Sequence, residues 1–232
     1  ETGSVFLLSP AQLEHELLRL TDWYTDELYE SLRGDFTRAL VYPVSRMVVD
    51  PERFPYDEAE PMAEYGLGVI YTSTQDGRPL RSPPSPEERW RLMETWYHPH
   101  HRLLSAMVRD SLGIFGKALI IDCHSFPDTP FPFEKDPRRA RPDICIGTNA
   151  FHTPERLADL TAGLFRKAGL TIDFNHPFAG ALVPLDFYRT DARVHSIMIE
   201  LNRKLYMNEE TGDKTSDFDA LAKTIGGIIR KI

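Results

Sequence analysis

The sequence predicts an α/β fold built on a largely parallel or mixed sheet that is covered on both faces. Short apolar runs that read as strands alternate with long amphipathic helices through most of the chain. The apolar runs "KALIID", "ICIGT" and "SIMIELN" have the length and content of buried strands. At 232 residues the chain is long enough for one large domain with a real core.

The elements follow in order. Ser9-Pro10 starts a helix, with a capping hydroxyl and then Pro at the first helical position. Leu13, Leu17, Leu20, Tyr24 and Leu28 continue it at helical spacing, and Gly34 stops it. Ala39 to Asp50 reads as one strand, or two broken at Pro43, and "GVIYT" from Gly68 as another. The stretches between and after them, "DPERFPYDEAEPMAEYGLG" and "DGRPLRSPPSP", are loop and turn. Ser85-Pro86-Glu87-Glu88 opens a second capped start, giving two helices or one kinked at Pro99. After the strand "KALIID" comes a proline-heavy polar segment, Phe126 to Asp143, and then "ICIGT". A helix capped by Thr153 and stopped by Gly169 precedes the strands "TIDFN" and "SIMIELN", and an amphipathic helix from Phe218 closes the chain.

Composition excludes several classes. The net charge is −8 with Lys and Arg scattered, so there is no basic stripe for nucleic acid. No apolar run approaches the roughly 20 residues of a membrane span. Cys123 and Cys145 each sit in apolar surroundings, which reads as reduced thiols in a cytoplasmic protein.

Two strand endings carry ionisable groups. In "IIDCHS", Asp122 and His124 are two apart and share a strand face. Carboxylate–histidine pairs orient metal ligands and general bases. In "SIMIELNR", Glu200 follows three apolar residues, and a carboxylate there needs a partner. That partner is either Arg203 or Arg46 in a structural ion pair, or a catalytic centre. Ser125 lacks a "GxSxG" context, and Cys123 points away from His124, so nucleophilic catalysis by either has little support. Asp22 and Asp26 fall on one face of the first helix. His98, His100 and His101 cluster either as metal ligands or as the cap of a helix end with one member facing a cleft. Arg46, Asp50 and Arg53 lie close together, suited to bidentate carboxylate recognition or to a structural Arg46–Asp50 pair.

Eight segments together resemble one family. They are "LTDWYTDELY", "SRMVVDPERF", "EPMAEYGLGVIYT", "WYHPHHRLL", "IIDCHSFP", "RPDICIGTNAFHTP", "NHPFAGALVPLDFY" and "HSIMIELNRKLYM", in order from Leu20 to Met207. They are similar to N-formylglutamate amidohydrolases. The resemblance implies a three-layer α/β/α sandwich with a mixed, largely parallel sheet, as in zinc carboxypeptidases. It also implies zinc held by His124 and Asp22, with Asp122 and His101 behind them. Glu200 would be the proton shuttle, Arg46 and Arg53 the clamp for a substrate carboxylate, and Asn175 part of a substrate wall. The family's early "PHxG" motif has no counterpart here. The expectation is therefore a single domain over residues 1–232 without the family's N-terminal strand. The implied activity is hydrolysis of a small N-acyl amino acid, by default N-formylglutamate to glutamate and formate. The rival readings are a carboxypeptidase-like peptidase on short peptides and a non-catalytic binding protein.

Overall fold

The computed structural model describes residues 5–34, 37–132, 134 and 140–232. Its contacts divide the chain into two compact units. One comprises residues 1–21, 41–104 and 130–135, the other 22–40, 105–129 and 136–232. Part of the proline-heavy segment after Phe126 lies outside the described residues.

In the first unit, α1 (Pro10–Leu20) starts as predicted. Ser9 Oγ accepts from the Gln12 amide, and the Gln12 side chain accepts from the Ser9 amide. The helix does not reach Gly34. Thr21 is extended and Tyr24 takes φ 63°, and the short helix α2 (Thr25–Leu28) and a 3-10 turn over Glu30–Leu32 follow. Asp22 therefore stands in a break, and the expected Asp22–Asp26 helix face does not form. The strands expected over residues 39–50 and 68–72 do not form either. Their amides close local turns, as from Val48 to the Ser45 carbonyl, and one amide, that of Asp50, crosses to Val69. The apolar residues are nevertheless buried: Val48, Val49, Val69 and Ile70 pack with Leu92, Met93 and Tyr97. The apolar pattern reported burial correctly, but among the described residues no strand lies alongside these segments to build a ladder.

Ser85 and Glu88 form a second capping box at the start of α3 (Pro86–Leu92). A π-helical turn over Met93–Tyr97 joins it to α4 (His98–Phe115). The His98 amide reaches back to the Met93 carbonyl. Pro99 has no N–H for the Thr95 carbonyl, and a widened turn absorbs that mismatch without ending the helix.

The second unit holds a four-stranded sheet in the order β1-β4-β2-β3. The strands are β1 (Ala118–Phe126), β2 (Ile144–Gly147), β3 (Ile172–Phe174) and β4 (Val194–Asn202). The β1–β4 and β2–β3 pairs are parallel and β2–β4 is antiparallel, so the sheet is mixed and mostly parallel. Along β4 every residue but His195 is buried, at odd and even positions alike, so both faces are covered. Helices α5 (Glu155–Lys167) and α6 (Phe218–Ile229) flank it. Thr153 does not cap α5; its hydroxyl donates to the Ser196 carbonyl at 2.6 Å, tying the helix start to β4. β1 also runs four residues past the predicted end at Asp122. His124 thus belongs to the strand along with Asp122.

Residues 176–182 cross the sheet face that carries those two side chains. Cys145 Sγ donates to the Phe178 carbonyl, Ser196 Oγ to the Leu182 carbonyl, and the Leu182 amide to Asp122 Oδ2. Gly147 lets this strap sit down: a Cβ there would come within 3.0 Å of the Gly180 carbonyl oxygen and of Met198. Gly147→Ala should cost about 1–3 kcal/mol through overpacking, read as a lower denaturation midpoint in urea with an unchanged slope.

Candidate active site

The polar cluster of the second unit centres on His124. In the β1–β4 ladder His124 is the register partner of Glu200, so the two side chains leave the same face of adjacent strands. Asp122, two residues back on that face, places Oδ1 3.0 Å from His124 Nε2. A carboxylate only accepts, so Nε2 carries the hydrogen. Asp22 approaches the other side of the ring, its Oδ2 3.2 Å from Nδ1. The break after α1 is what lets Asp22 reach the strand.

Burial lowers the basicity of the His124 imidazole, but Asp122 and Asp22 outweigh it and hold its pKa well above the ordinary histidine value. Asp22 is itself held: its Oδ1 accepts from the Ser125 amide and hydroxyl, both at 3.1 Å, and the Arg203 guanidinium lies 3.6 Å away. Glu200 is 6% exposed. Burial pushes the Cys123 and Cys145 thiols up to about 12, which removes both as nucleophiles at neutral pH.

His124 Nδ1 and Asp22 Oδ2 are spaced as two ligands of one divalent ion would be. Two ligand atoms about 2.0–2.1 Å from a tetrahedral ion stand about 3.3 Å apart, close to the 3.2 Å between His124 Nδ1 and Asp22 Oδ2. With an ion at Nδ1, Asp122 on the far nitrogen would stand as the carboxylate of a carboxylate–histidine–metal arrangement and would fix the tautomer.

The first unit contains the arginine cluster. Asp50 is fully buried and accepts from the Tyr71 hydroxyl at 2.7 Å and the Glu52 amide at 2.9 Å, with Arg53 Nε 3.6 Å away. Burial raises the Asp50 pKa, but Arg46 and Arg53 prevail and set it below the usual carboxylate range. The three histidines of α4 take separate contacts. His101 Nε2 bonds to the Pro51 carbonyl, His98 lies 3.8 Å from Glu94, and His100 stands edge-on to Tyr42.

In the second unit Asn175 clasps Thr148, accepting from its amide and donating to its hydroxyl, in a left-handed conformation that Asn tolerates. Thr148 also borders a cleft of about 480 Å³ with Phe151, Glu155 and His195. His195 lies five residues before Glu200 along β4, about 16 Å away, so this cleft is not where His124 and Glu200 meet.

The sequence matches the profile of a family described as N-formylglutamate amidohydrolase over residues 5–207. The chain belongs to that family. It is 31% identical over 202 residues to an N-formylglutamate deformylase of Pseudomonas aeruginosa, a match covering 85% of this chain and 74% of that protein. In structure it is similar to an N-formylglutamate amidohydrolase from Ralstonia eutropha, with a TM-score of 0.77 and 22% identity over 97% of this chain and 85% of the other. A gene product from Agrobacterium tumefaciens shares the fold less closely, with a TM-score of 0.53 and 20% identity over 81% and 68% of the two chains.

Asp22, Asp122, His124 and Glu200 are thus brought together within the second unit, and Arg46, Arg53 and His101 belong to the first. Sequence reasoning missed Ser125 and Arg203 as the groups that hold Asp22. Their signal was adjacency: each follows a site residue by one to three positions.

A group whose pKa rises on folding stabilises below its unfolded pKa and loses that contribution as pH climbs to the folded one. The metal-free protein should therefore lose thermal stability as pH rises above about 6.5. His124→Gln should flatten that dependence in melting curves recorded across the range.

Proposed function

We propose that this protein is a zinc-dependent hydrolase of amide C–N bonds that deacylates an N-acyl amino acid, with N-formylglutamate as substrate and glutamate and formate as products. The observation that carries this reading is the side-by-side placement of His124 and Glu200, with Asp22 and Asp122 on the two ring nitrogens. Family membership supports the reaction, and the names of the relatives support the substrate.

In this reading His124 Nδ1 and Asp22 Oδ2 hold the ion, and a mixed imidazole–carboxylate set suits zinc. A bound zinc acidifies water and polarises the amide carbonyl. Glu200 takes a proton from the attacking water and returns it to the departing amine nitrogen. Asp122 keeps the His124 ring in its coordinating tautomer. Arg46 and Arg53, set around Asp50, bind a carboxylate of the substrate. Asn175 with the strap after it walls the substrate. The family match runs through both units, which supports treating the chain as one functional domain. Among the described residues no helix is long and apolar enough to cross a membrane, and both cysteines are free, which supports a cytoplasmic setting.

Glu200→Gln should lower kcat by about 10²–10⁴-fold while zinc content, measured by elemental analysis, stays at the wild-type level. Retained turnover would rule out the shuttle. Arg46→Ala should raise KM for N-formylglutamate by about 10–100-fold, the worth of a charged hydrogen bond. The same variant should leave an uncharged formamide little affected; equal small effects on both would remove the clamp.

A further inference from the structure

We propose that Ser125 and Arg203 are positioning residues that make Asp22 a one-oxygen metal ligand, keeping the ion's coordination number low and a place open for substrate. This rests on the metal-dependent reading above.

Asp22 lies in a non-helical break, where backbone alone does not fix a side chain. The side chain is fixed from the strand instead. Ser125 presents its amide and its hydroxyl to the same oxygen, Oδ1, both at 3.1 Å. The hydroxyl has one hydrogen, and that hydrogen goes to Asp22 because Arg203 Nε already donates to Ser125 Oγ at 3.0 Å. Arg203 also donates to the Ser125 carbonyl at 3.4 Å and places its charge 3.6 Å from Oδ1.

Arg203 and Ser125 are 3% and 5% exposed, so this relay is shielded from water. Its effect is asymmetric: Oδ1 accepts both Ser125 bonds and Oδ2 faces His124 Nδ1. Bidentate coordination by Asp22 would require Oδ1 to give up the Ser125 bonds. Arg203 also follows Glu200 by three residues, so one strand end carries both the proton shuttle and the anchor of the ligand opposite it.

The test is zinc affinity by competition with a chromogenic chelator, together with the visible spectrum of the Co²⁺-substituted protein. Ser125→Ala and Arg203→Met should each weaken zinc about 10–100-fold, the usual consequence of removing a partner of a metal ligand. The Co²⁺ bands should fall in intensity as Asp22 turns bidentate and the coordination number rises. Ser125→Thr, which keeps the hydroxyl, should restore both. The fold of Arg203→Met is checked by circular dichroism, and Ser125→Ala carries the test alone if that variant is unfolded. Wild-type affinity and an unchanged Co²⁺ spectrum in Ser125→Ala would overturn the proposal while leaving the metal centre standing. A wild-type protein that takes up no zinc would overturn the metal reading and this inference with it.

Discussion

An imidazole held between two carboxylates is the interaction on which the site depends. Burying Asp122 beside a second acid is unfavourable unless positive charge lies between them. His124 supplies that charge as an imidazolium, and in the proposed zinc-bound form a divalent cation would take the place of its Nδ1 proton.

The sheet that carries this cluster serves two purposes through its alternation. One face of β1 and β4 presents Asp122, His124, Ser196 and Glu200; the other presents Ile121, Cys123, Ile197 and Ile199 to the core. The polar face is roofed by the backbone of residues 176–182, whose carbonyls and amides satisfy Cys145, Ser196 and Asp122. Polar side chains deep in a sheet are tolerated because a strap of main chain meets their hydrogen-bonding needs.

The strands of the second unit were legible because each is a compact apolar run bounded by turn residues, and both serine-proline helix starts were legible because capping boxes are local chemistry. Asp122, His124 and Glu200 stood out as ionisable groups inside apolar runs. What was not legible depended on neighbours distant in sequence. Residues 39–50 and 68–72 have strand-like composition, but among the described residues a single amide bond, from Asp50 to Val69, joins them, and a strand exists only in a ladder. Thr153 has the residue type of a cap, but the Ser196 carbonyl claims its hydroxyl. The break at Asp22 was hidden by leucines that keep helical spacing across it. Tyr24 bears a left-handed backbone that no local pattern announces.

The pairing of His124 with Glu200 in the β1–β4 ladder has a consequence for assembly. Strand side chains repeat every two residues, so a slip of one position would send one of the two to the opposite face. The chemical pair thus has no intermediate alignment in which it half works. Competence is all-or-none in strand pairing, and the same main-chain hydrogen bonds that define the architecture also guard the enzyme against misassembled but compact forms.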